Sequence, residues 1–381
     1  MLKPRPVYSD EHEMFRDAVR GFVKAEITPH FQRWEEAGIV DRSFWDAGGS
    51  AGLLCPQLPE EYGGAGGSFK HNCIVVEEIA YAGYAGPMTD FSVHSDVCCG
   101  YIQHAGTEEQ RRKWLPRMAS GETVCAIAMT EPGTGSDLQG IKTRAVRDGD
   151  VYRISGSKTF ISNGQHCDLV IVVARTSDAP GSKGMSLILV ETDRPGFRRG
   201  RNLHKLGHLS SDTSEMFFDE VEVPASNVMG VEGTGFATLM TELPQERLII
   251  AYQSMASAQR AFDITVEYTR GRKAFGQAIA DFQNTRYKLA DLKADLLVGW
   301  AFADQCLEKH VLGQLDALHA STAKLWCTEM HGRVVDACLQ LHGGYGFMRE
   351  YEICRLFADA RVQRLYGGTS EIMRELISRS L

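Results

Sequence analysis

Apolar positions recur every three or four residues over the first third of the chain, which is the period of an amphipathic helix. Val19 and Phe22 share one such face, and Ser9 precedes them as a helix-capping residue. A loop rich in proline and glycine, residues 56–68, interrupts this pattern, which then continues to about residue 120. The pattern predicts an N-terminal α-helical domain over residues 1–120.

Near Glu122 the pattern changes to five short runs rich in β-branched residues, separated by glycine, aspartate, asparagine and proline. Such runs predict a compact antiparallel sheet domain over residues 121–234. From Gly235 the helical period returns, and long segments joined by short turns favour a bundle over residues 235–381. The long segments cover about 236–270, 282–312, 317–341 and 350–366, and a shorter one follows Thr369. The predicted fold class is α+β and mostly α, with a C-terminal four-helix bundle.

Composition narrows the functional classes. The chain has 381 residues, more than one hydrophobic core usually serves. A formal net charge of −8 gives no general electrostatic reason to bind nucleic acid. No apolar run reaches the ~18 residues of a membrane helix, and the N-terminus lacks the apolar core of a signal peptide. We expect no nucleic-acid partner and no membrane insertion, and a bacterial cytoplasmic location, with a mature mitochondrial matrix protein as the alternative.

The cysteines argue against a metal site. Ten cysteines are scattered without a Cys-x-x-Cys pair or a Cys/His ladder. Free and mostly buried thiols in a reducing compartment are the favoured interpretation.

Two motifs leave alternatives open. In MTEPGTGSD (Met129–Asp137) a strand ends in a tight turn, whose exposed N–H groups and hydroxyls can bond a heteroaromatic rim or a phosphate. From these residues alone an ordinary hairpin turn is favoured, and Leu138 stands where a dinucleotide fingerprint needs its third glycine. In RGRKAFGQ, Arg270 and Arg272 either complement a helix end or, for Arg272, bind a pyrophosphate.

Glu246 differs from most helix-borne glutamates because it falls on an apolar helix face with Leu239 and Ile250. The pattern therefore predicts burial of its carboxylate. Pro244 is expected to kink the helix just before it. For the neighbouring Arg247, a structural ion pair and a place in the active site are both open.

Five motifs follow one another along the chain: MTEPGTGSD, GSKTFISNG, SSDTSEMFFDEVEVP, RGRKAFGQAI and QLHGGYGF. The C-terminal half also contains LPQERLIIA and YGGTSEIMRELI. Together the five motifs resemble those of the acyl-CoA dehydrogenase family over nearly the whole chain, and the C-terminal half is most similar to its long-chain branch. The resemblance implies FAD-dependent α,β-dehydrogenation of an acyl-CoA thioester carrying a medium-chain, long-chain or branched acyl group. It also implies electron-transferring flavoprotein as the acceptor and a homotetramer built as a dimer of dimers.

The resemblance assigns residues to the FAD site. Those expected at the flavin ring are Met129, Thr130, Ser136, Phe160 and Ser162. Those expected at the FAD of a neighbouring subunit or at its adenosine-diphosphate half are Arg272, Phe275, Gln283, Gln340, Gly343 and Gly344, and Thr369 and Glu371 complete the site. The family often has tryptophan at the position of Phe160 and glutamine at that of Glu371.

The resemblance also locates the catalytic base. The position of Gly367 often holds the catalytic carboxylate in the family, and glycine has no proton-accepting side chain. In the long-chain and isovaleryl-type branches the base lies on the helix instead, at the position of Glu246. The Gly367 N–H is expected to bond the thioester carbonyl together with the flavin ribityl 2′-hydroxyl. The residues expected at the substrate are Ser136, Arg247, Tyr366, Gly367 and Gly368, whereas Glu131 and Asp137 are expected to be structural.

Two rival functions remain. An acyl-CoA oxidase would return the electrons to oxygen, and such chains are typically much longer. A non-catalytic acyl-CoA or flavin-binding scaffold would explain Gly367, but not Glu246 and the complete flavin motifs.

Overall fold

The computed structural model describes residues 2–381, and its first part is helical. The helices of this part are α1 (Asp10–Phe22), α2 (Phe31–Ala37), α3 (Arg42–Ser50), α4 (Phe69–Tyr81), α5 (Ala85–Ser92), α6 (Cys99–Ala105) and α7 (Glu108–Ala119). Ser9 stands at the N-cap of α1 with extended backbone, as predicted. A wider π-helical stretch, Val93–Cys98, joins α5 to α6.

A sheet follows. Its strands are β1 (Cys125–Ala128), β2 (Arg144–Asp148), β3 (Val151–Ser162), β4 (Leu169–Arg175), β5 (Met185–Glu191), β6 (Phe197–Asn202), β7 (Thr213–Pro224) and β8 (Val228–Met229). The order is β6-β7-β3-β2-β4-β5-β8, with β1 beside β4. Most pairs are antiparallel, as predicted, but β1 runs parallel to β4 and β2 makes a short parallel contact with it. These parallel contacts join strands distant in sequence, so local patterning does not reveal them.

The last part is again helical. Its elements are α8 (Gly235–Gly271), the short pair β9 (Lys273–Ala274) and β10 (Gln277–Ala278), and the helices α9 (Gln283–Val311), α10 (Ala317–His342), α11 (Glu352–Ala360) and α12 (Ser370–Ser378). One hydrophobic core runs through α1 and α4 of the first part and α8, α9 and α10 of the last. Helix α8 is therefore covered by neighbours on several sides.

α8 is continuous through Pro244, in agreement with the long segment predicted over about 236–270, and the kink expected at this proline stays a prediction. One helical prediction differs from the structure. The single helix predicted over 350–366 was wrong: α11 ends at Ala360, and only a 3₁₀ turn, Val362–Arg364, follows. The Gln363 side chain accepts hydrogen bonds from Ser254 and His331, and these contacts hold the chain away from α-helical continuation. None of the helices in the described part of the chain combines the length and apolarity that a bilayer crossing requires.

Candidate active site

Glu246 lies inside the molecule, as the helical pattern predicted. Its side chain is 7% exposed, and Leu239 and Ile250 on the same face of α8 are buried with it. The Tyr101 hydroxyl, on α6, donates to Glu246 Oε1 at 2.7 Å. Among residues 2–381 no protein donor reaches Oε2, so this oxygen is free to accept a proton.

The surroundings of Glu246 set its proton affinity. Burial raises the pKa of Glu246 to about 7, reinforced by the Glu242 carboxylate and opposed by the Tyr101 hydrogen bond and by Arg247. Desolvation dominates because a carboxylate loses much of its hydration in a low-dielectric interior. A carboxylate with a pKa near neutrality suits general-base chemistry at neutral pH.

Glu242 and His104 form a second polar pair next to this carboxylate. His104 Nδ1 lies 3.0 Å from both carboxylate oxygens of Glu242. Gly100 lets α6 approach α8 closely, since a Cβ built there would lie 3.2 Å from Glu242 Oε2 and from Gln245 Nε2. Sequence reasoning missed Glu242, although its spacing of four residues from Glu246 on one helix could have revealed it.

The loop containing Gly367 faces the same side of α8. Gly367 and Gly368 have φ of +63° and +90°, a region that favours glycine. A Cβ built on Gly367 would overlap Ile250 Cδ1. Within the described chain the Gly367 N–H donates to no protein acceptor. This N–H precedes the N-terminus of α12, where backbone donors favour negative charge.

Tyr366 and Arg247 lie beside this loop. The Tyr366 hydroxyl donates to Gln253 Oε1 at 3.1 Å, and burial raises the pKa of Tyr366. Arg247 is 5% exposed, and its Nη1 lies 3.4 Å from Ser321 Oγ. No carboxylate in residues 2–381 lies within 4.0 Å of Arg247, so the structural ion pair considered for it is absent there. Its Nε is buried without a partner.

Lys324, which sequence reasoning missed, fastens the same loop. Its Nζ donates to the Gly368 carbonyl at 2.7 Å, and its side chain is fully buried on α10. Burial and, to a smaller extent, the nearby Arg247 together lower the pKa of Lys324 to about 8. A lysine on a helix is usually a solvated residue, so the sequence alone gave no signal of this position.

The two motifs expected at the flavin ring lie side by side. Thr159 N–H donates to the Thr130 carbonyl at 2.9 Å, and Lys158 Nζ donates to the Met129 carbonyl at 3.0 Å. Lys158 also pairs with Glu131 Oε1 at 2.9 Å in the interior. Burial lowers the pKa of Lys158 to about 8. Burial alone would raise the pKa of Glu131, but the contacts with Lys158 and with two backbone N–H groups lower it.

Glu131 is therefore structural, as predicted: its carboxylate ties the turn of the first motif to the strand of the second. Asp137 is exposed, and its carbonyl accepts the Gly140 N–H at 3.1 Å within the following turn. Ser136 is exposed on the same turn, and Ser162 is half-buried at the end of β3.

Phe160 has an unusual conformation. Its φ is +60°, its ring is 67% exposed, and it sits where β3 bulges against β7 between Lys158 and Ile161. A bulky residue in the left-handed region is strained, and an exposed ring contributes little to the protein's own core. This arrangement is typical of a side chain directed at a ligand rather than at packing.

A cleft of about 620 Å³ contains four of the residues expected at the adenosine-diphosphate half. They are Arg272, Gln340, Gly343 and Gly344. No carboxylate in the described chain pairs with Arg272. A Cβ on either glycine would meet only open space, so packing does not require glycine there.

The other expected residues lie outside this cleft. Phe275 is 97% exposed with φ of +52°, and Gln283 is exposed at the start of α9. Thr369 caps α12 by accepting the Ile372 N–H, and Glu371 is exposed in its first turn. One chain therefore does not gather all the expected cofactor residues into one cavity.

The donor set fits FAD in two places. The cleft offers an unpaired guanidinium and open glycine backbone, which suit a diphosphate. The bulged strand offers an exposed aromatic ring beside the Met129–Thr130 backbone, which suits a flat heteroaromatic ring.

Comparison of the sequence with known proteins identifies the same family along the whole length of the chain. Family models match residues 9–122 as acyl-CoA dehydrogenase, N-terminal domain, residues 126–221 as the middle domain and residues 233–381 as the C-terminal domain. The long-chain specific acyl-CoA dehydrogenase, mitochondrial, of Sus scrofa is 47% identical over 379 residues, covering 99% of this chain and 88% of that protein.

Solved structures show the same likeness. The acyl-CoA dehydrogenase from Geobacillus kaustophilus superposes with a TM-score of 0.97 and 44% identity, covering 99% of both chains. A glutaryl-CoA dehydrogenase from Mycobacterium smegmatis in complex with FADH2 has a TM-score of 0.91 and 29% identity, covering 98% of this chain and 95% of that chain.

Proposed function

The chain belongs to the acyl-CoA dehydrogenase family, and on this premise we propose that it converts an acyl-CoA thioester to the trans-2-enoyl-CoA with Glu246 as the base. It is an oxidoreductase and a flavoprotein that uses FAD. The observation that carries the proposal is the buried Glu246 carboxylate, whose pKa is raised to about 7. The single-chain geometry also leaves its Oε2 without a protein donor.

The residues divide the work as follows. Glu246 Oε2 removes the α proton while Tyr101 holds Oε1 in place. The Gly367 N–H donates to the thioester carbonyl, where negative charge develops as the α C–H bond breaks. FAD, when bound, supplies the acceptor for the hydride that leaves the β carbon. Arg247, Tyr366 and Gly368 border the substrate beside this loop, and Ser136 borders it from the flavin side.

The cofactor assignments follow from the same proposal. Phe160 faces the flavin ring from the bulge, with Met129, Thr130 and Ser162 beside it. Arg272, Gln340, Gly343 and Gly344 hold the adenosine-diphosphate half in the cleft. Together with Arg272, the outlying residues Phe275 and Gln283 reach the FAD of a neighbouring subunit through assembly of a homotetramer, as a dimer of dimers. Thr369 and Glu371 complete the cofactor site. The positions of Phe275 and Gln283 outside the cleft support a site shared between subunits.

The acyl group, the electron acceptor, the domain bounds and the compartment are proposed as well. We propose a substrate with a long-chain, medium-chain or branched acyl group, supported by the 47% identity to a long-chain specific enzyme. Electron-transferring flavoprotein is the proposed acceptor, with oxygen, as in an acyl-CoA oxidase, as the alternative. The functional parts are residues 1–120, 121–234 and 235–381. A reducing compartment, bacterial cytoplasm or mitochondrial matrix, is supported by ten free cysteines, nine of them buried.

Anaerobic flavin bleaching with a panel of acyl-CoAs tests the proposal. We expect wild type to bleach, with the fastest thioester reporting the acyl length. Glu246→Gln should bind the same thioester but bleach at least about 100-fold more slowly, because general-base catalysis is lost. Glu267→Gln is the matched control, since it removes an exposed carboxylate from the same helix.

Three results would count against the proposal. Bleaching of Glu246→Gln at the wild-type rate would exclude Glu246 as the base. Wild type that holds FAD but bleaches with no thioester would favour the non-catalytic scaffold. Rapid reoxidation of the reduced flavin by oxygen would favour an oxidase.

A further inference from the structure

The proposed carbonyl-binding loop is built from residues with little intrinsic rigidity. Gly367 and Gly368 are adjacent, and glycine loses more backbone freedom on ordering than any other residue. The resemblance places a side chain at position 367 in many relatives, but here no side chain restrains the backbone. An N–H that must meet a carbonyl oxygen in a fixed direction therefore needs restraint from elsewhere.

Lys324 supplies a contact of the required kind. Its ammonium donates to the Gly368 carbonyl at 2.7 Å from α10, an element far away in sequence. The two ends of the loop are also held in place: the Tyr366 hydroxyl donates a hydrogen bond to Gln253, and Thr369 caps α12. Of these three interactions, only the hydrogen bond from Lys324 is made to the backbone of a glycine.

Fold stability does not account for this lysine. Its side chain is fully buried, and no carboxylate in residues 2–381 lies within ion-pair distance of Nζ. Glu329 and Glu371 act on it only from farther away. Burying an ammonium without a paired carboxylate is unfavourable, and one hydrogen bond to a backbone carbonyl offsets only a small part of the desolvation free energy.

The position of the charge matches the proposed reaction. Ser321, which contacts Arg247, lies three residues before Lys324 on the same face of α10. Two buried cations thus line the α8–α10 interface next to the loop. During α-proton removal, negative charge leaves Glu246 and develops on the thioester oxygen at this loop, where a nearby cation is favourable.

We propose that Lys324 is a positioning residue of the dehydrogenation: its ammonium fixes the Gly368 carbonyl and thereby directs the Gly367 N–H at the thioester carbonyl. The inference rests on the proposed function and adds to it a residue that does not touch the substrate. It explains why glycine at both 367 and 368 is compatible with an ordered carbonyl-binding site.

Lys324→Met, which removes the ammonium and keeps most of the side-chain volume, tests this. The probe is a 3-thia-acyl-CoA whose chain length is that of the thioester that bleaches wild type fastest. Its sulfur replaces the β carbon and prevents oxidation. Its α proton is acidic enough for the bound anion to form at accessible pH, and the long-wavelength absorbance of this anion next to the flavin follows the titration. The pH midpoint of this titration reports how strongly the site stabilises negative charge on the carbonyl.

We expect Lys324→Met to retain FAD and to bind the probe within threefold of wild type. The bleaching rate should fall about 10- to 100-fold, and the titration midpoint should rise by about 1 to 2 pH units, because both report the same lost stabilisation. Thr328→Val, one turn further along α10 and equally buried, should change neither. Lys324→Arg should recover most of the rate.

A midpoint and a bleaching rate that are both unchanged in Lys324→Met would overturn the inference. If Lys324→Met does not fold, the bleaching rates of Lys324→Arg and Lys324→Gln are compared instead. The inference requires Lys324→Arg to bleach at least about threefold faster than Lys324→Gln, and equal rates overturn it. Failure of the proposed function is distinguishable, because it appears as absence of bleaching in wild type, whereas failure of this inference appears only in the variants.

Discussion

Glu242 and Glu246 lie one turn apart on α8, and both carboxylates are buried, with exposures of 6% and 7%. The Glu242 carboxylate is close enough in the interior to oppose the ionisation of Glu246. Each has its own partner, His104 for Glu242 and Tyr101 for Glu246. Beyond the dominant effect of burial, the proton affinity of the proposed base therefore depends on Tyr101, Glu242 and Arg247, which can be changed one at a time.

Glu242→Gln should make Glu246 a weaker base that ionises at lower pH. The Glu242 carboxylate raises the pKa of Glu246, so removing its charge lowers that pKa below about 7. We expect the acidic limb of the pH profile of kcat/KM to move to lower pH. Glu267→Gln serves as the control. An unchanged limb, or one that moves to higher pH, would show that Glu242 does not act on the base through its charge.

Tyr101→Phe should have the opposite effect. The Tyr101 hydroxyl donates to the Glu246 carboxylate and lowers its pKa, so its loss favours the protonated acid. A hydrogen bond to a charged group contributes about 1.5–3 kcal/mol, which corresponds to an acidic limb moved upward by roughly one pH unit or more. The same pH profile of kcat/KM provides the measurement. A limb that moves downward contradicts the assignment of this hydrogen bond.

Glu246→Gln should stabilise the protein while slowing its reaction. In the folded state the pKa of Glu246 is raised from 4.5 to about 7, so the cost of its burial is absent below about pH 4.5 and grows as pH rises to about 7. Neutral glutamine avoids this cost. We expect the free energy of unfolding to rise by roughly 3 kcal/mol at pH 8, from about 1.4 kcal/mol per pKa unit.

Denaturant unfolding of Glu246→Gln and wild type at pH 8 and at pH 5 measures this. The difference should shrink strongly at pH 5, where the folded wild type already carries the protonated acid. A difference of equal size at both pH values would assign the effect to packing instead of charge.

Phe160→Gly should separate cofactor binding from fold stability. Glycine adopts φ of +60° without strain, which stabilises the folded state. Its greater conformational freedom in the unfolded chain opposes this stabilisation. We expect the free energy of unfolding of the FAD-free protein to change by less than about 1 kcal/mol. FAD affinity should fall by roughly tenfold or more, because an aromatic stacking partner is lost.

Fluorescence titration of the FAD-free protein with FAD measures the affinity of the Phe160 variants. Phe160→Trp is the matched variant and should bind at least as tightly as wild type. Equal FAD affinity in Phe160→Gly and wild type would remove Phe160 from the cofactor site.

The sequence predicted the features that depend on local periodicity. The long helices and the burial of Glu246 follow from an apolar period sustained over many turns, which is a strong signal. Tyr101 and Lys324 gave no such signal, because their partners Glu246 and Gly368 lie 145 and 44 residues away in the chain. The predicted helix over 350–366 ends early for the same kind of reason: Gln363 bonds to residues of two other helices.

The backbone conformation at position 367 limits which residues this loop can hold. A side chain at 367 would have to adopt φ of +63°, and its Cβ would displace Ile250 Cδ1, the end of a flexible side chain. The displaced methyl group can rotate away, whereas the left-handed backbone remains unfavourable for any residue with a Cβ. Glycine at 367 is therefore a conformational requirement of the loop itself, separate from the question of which residue removes the proton.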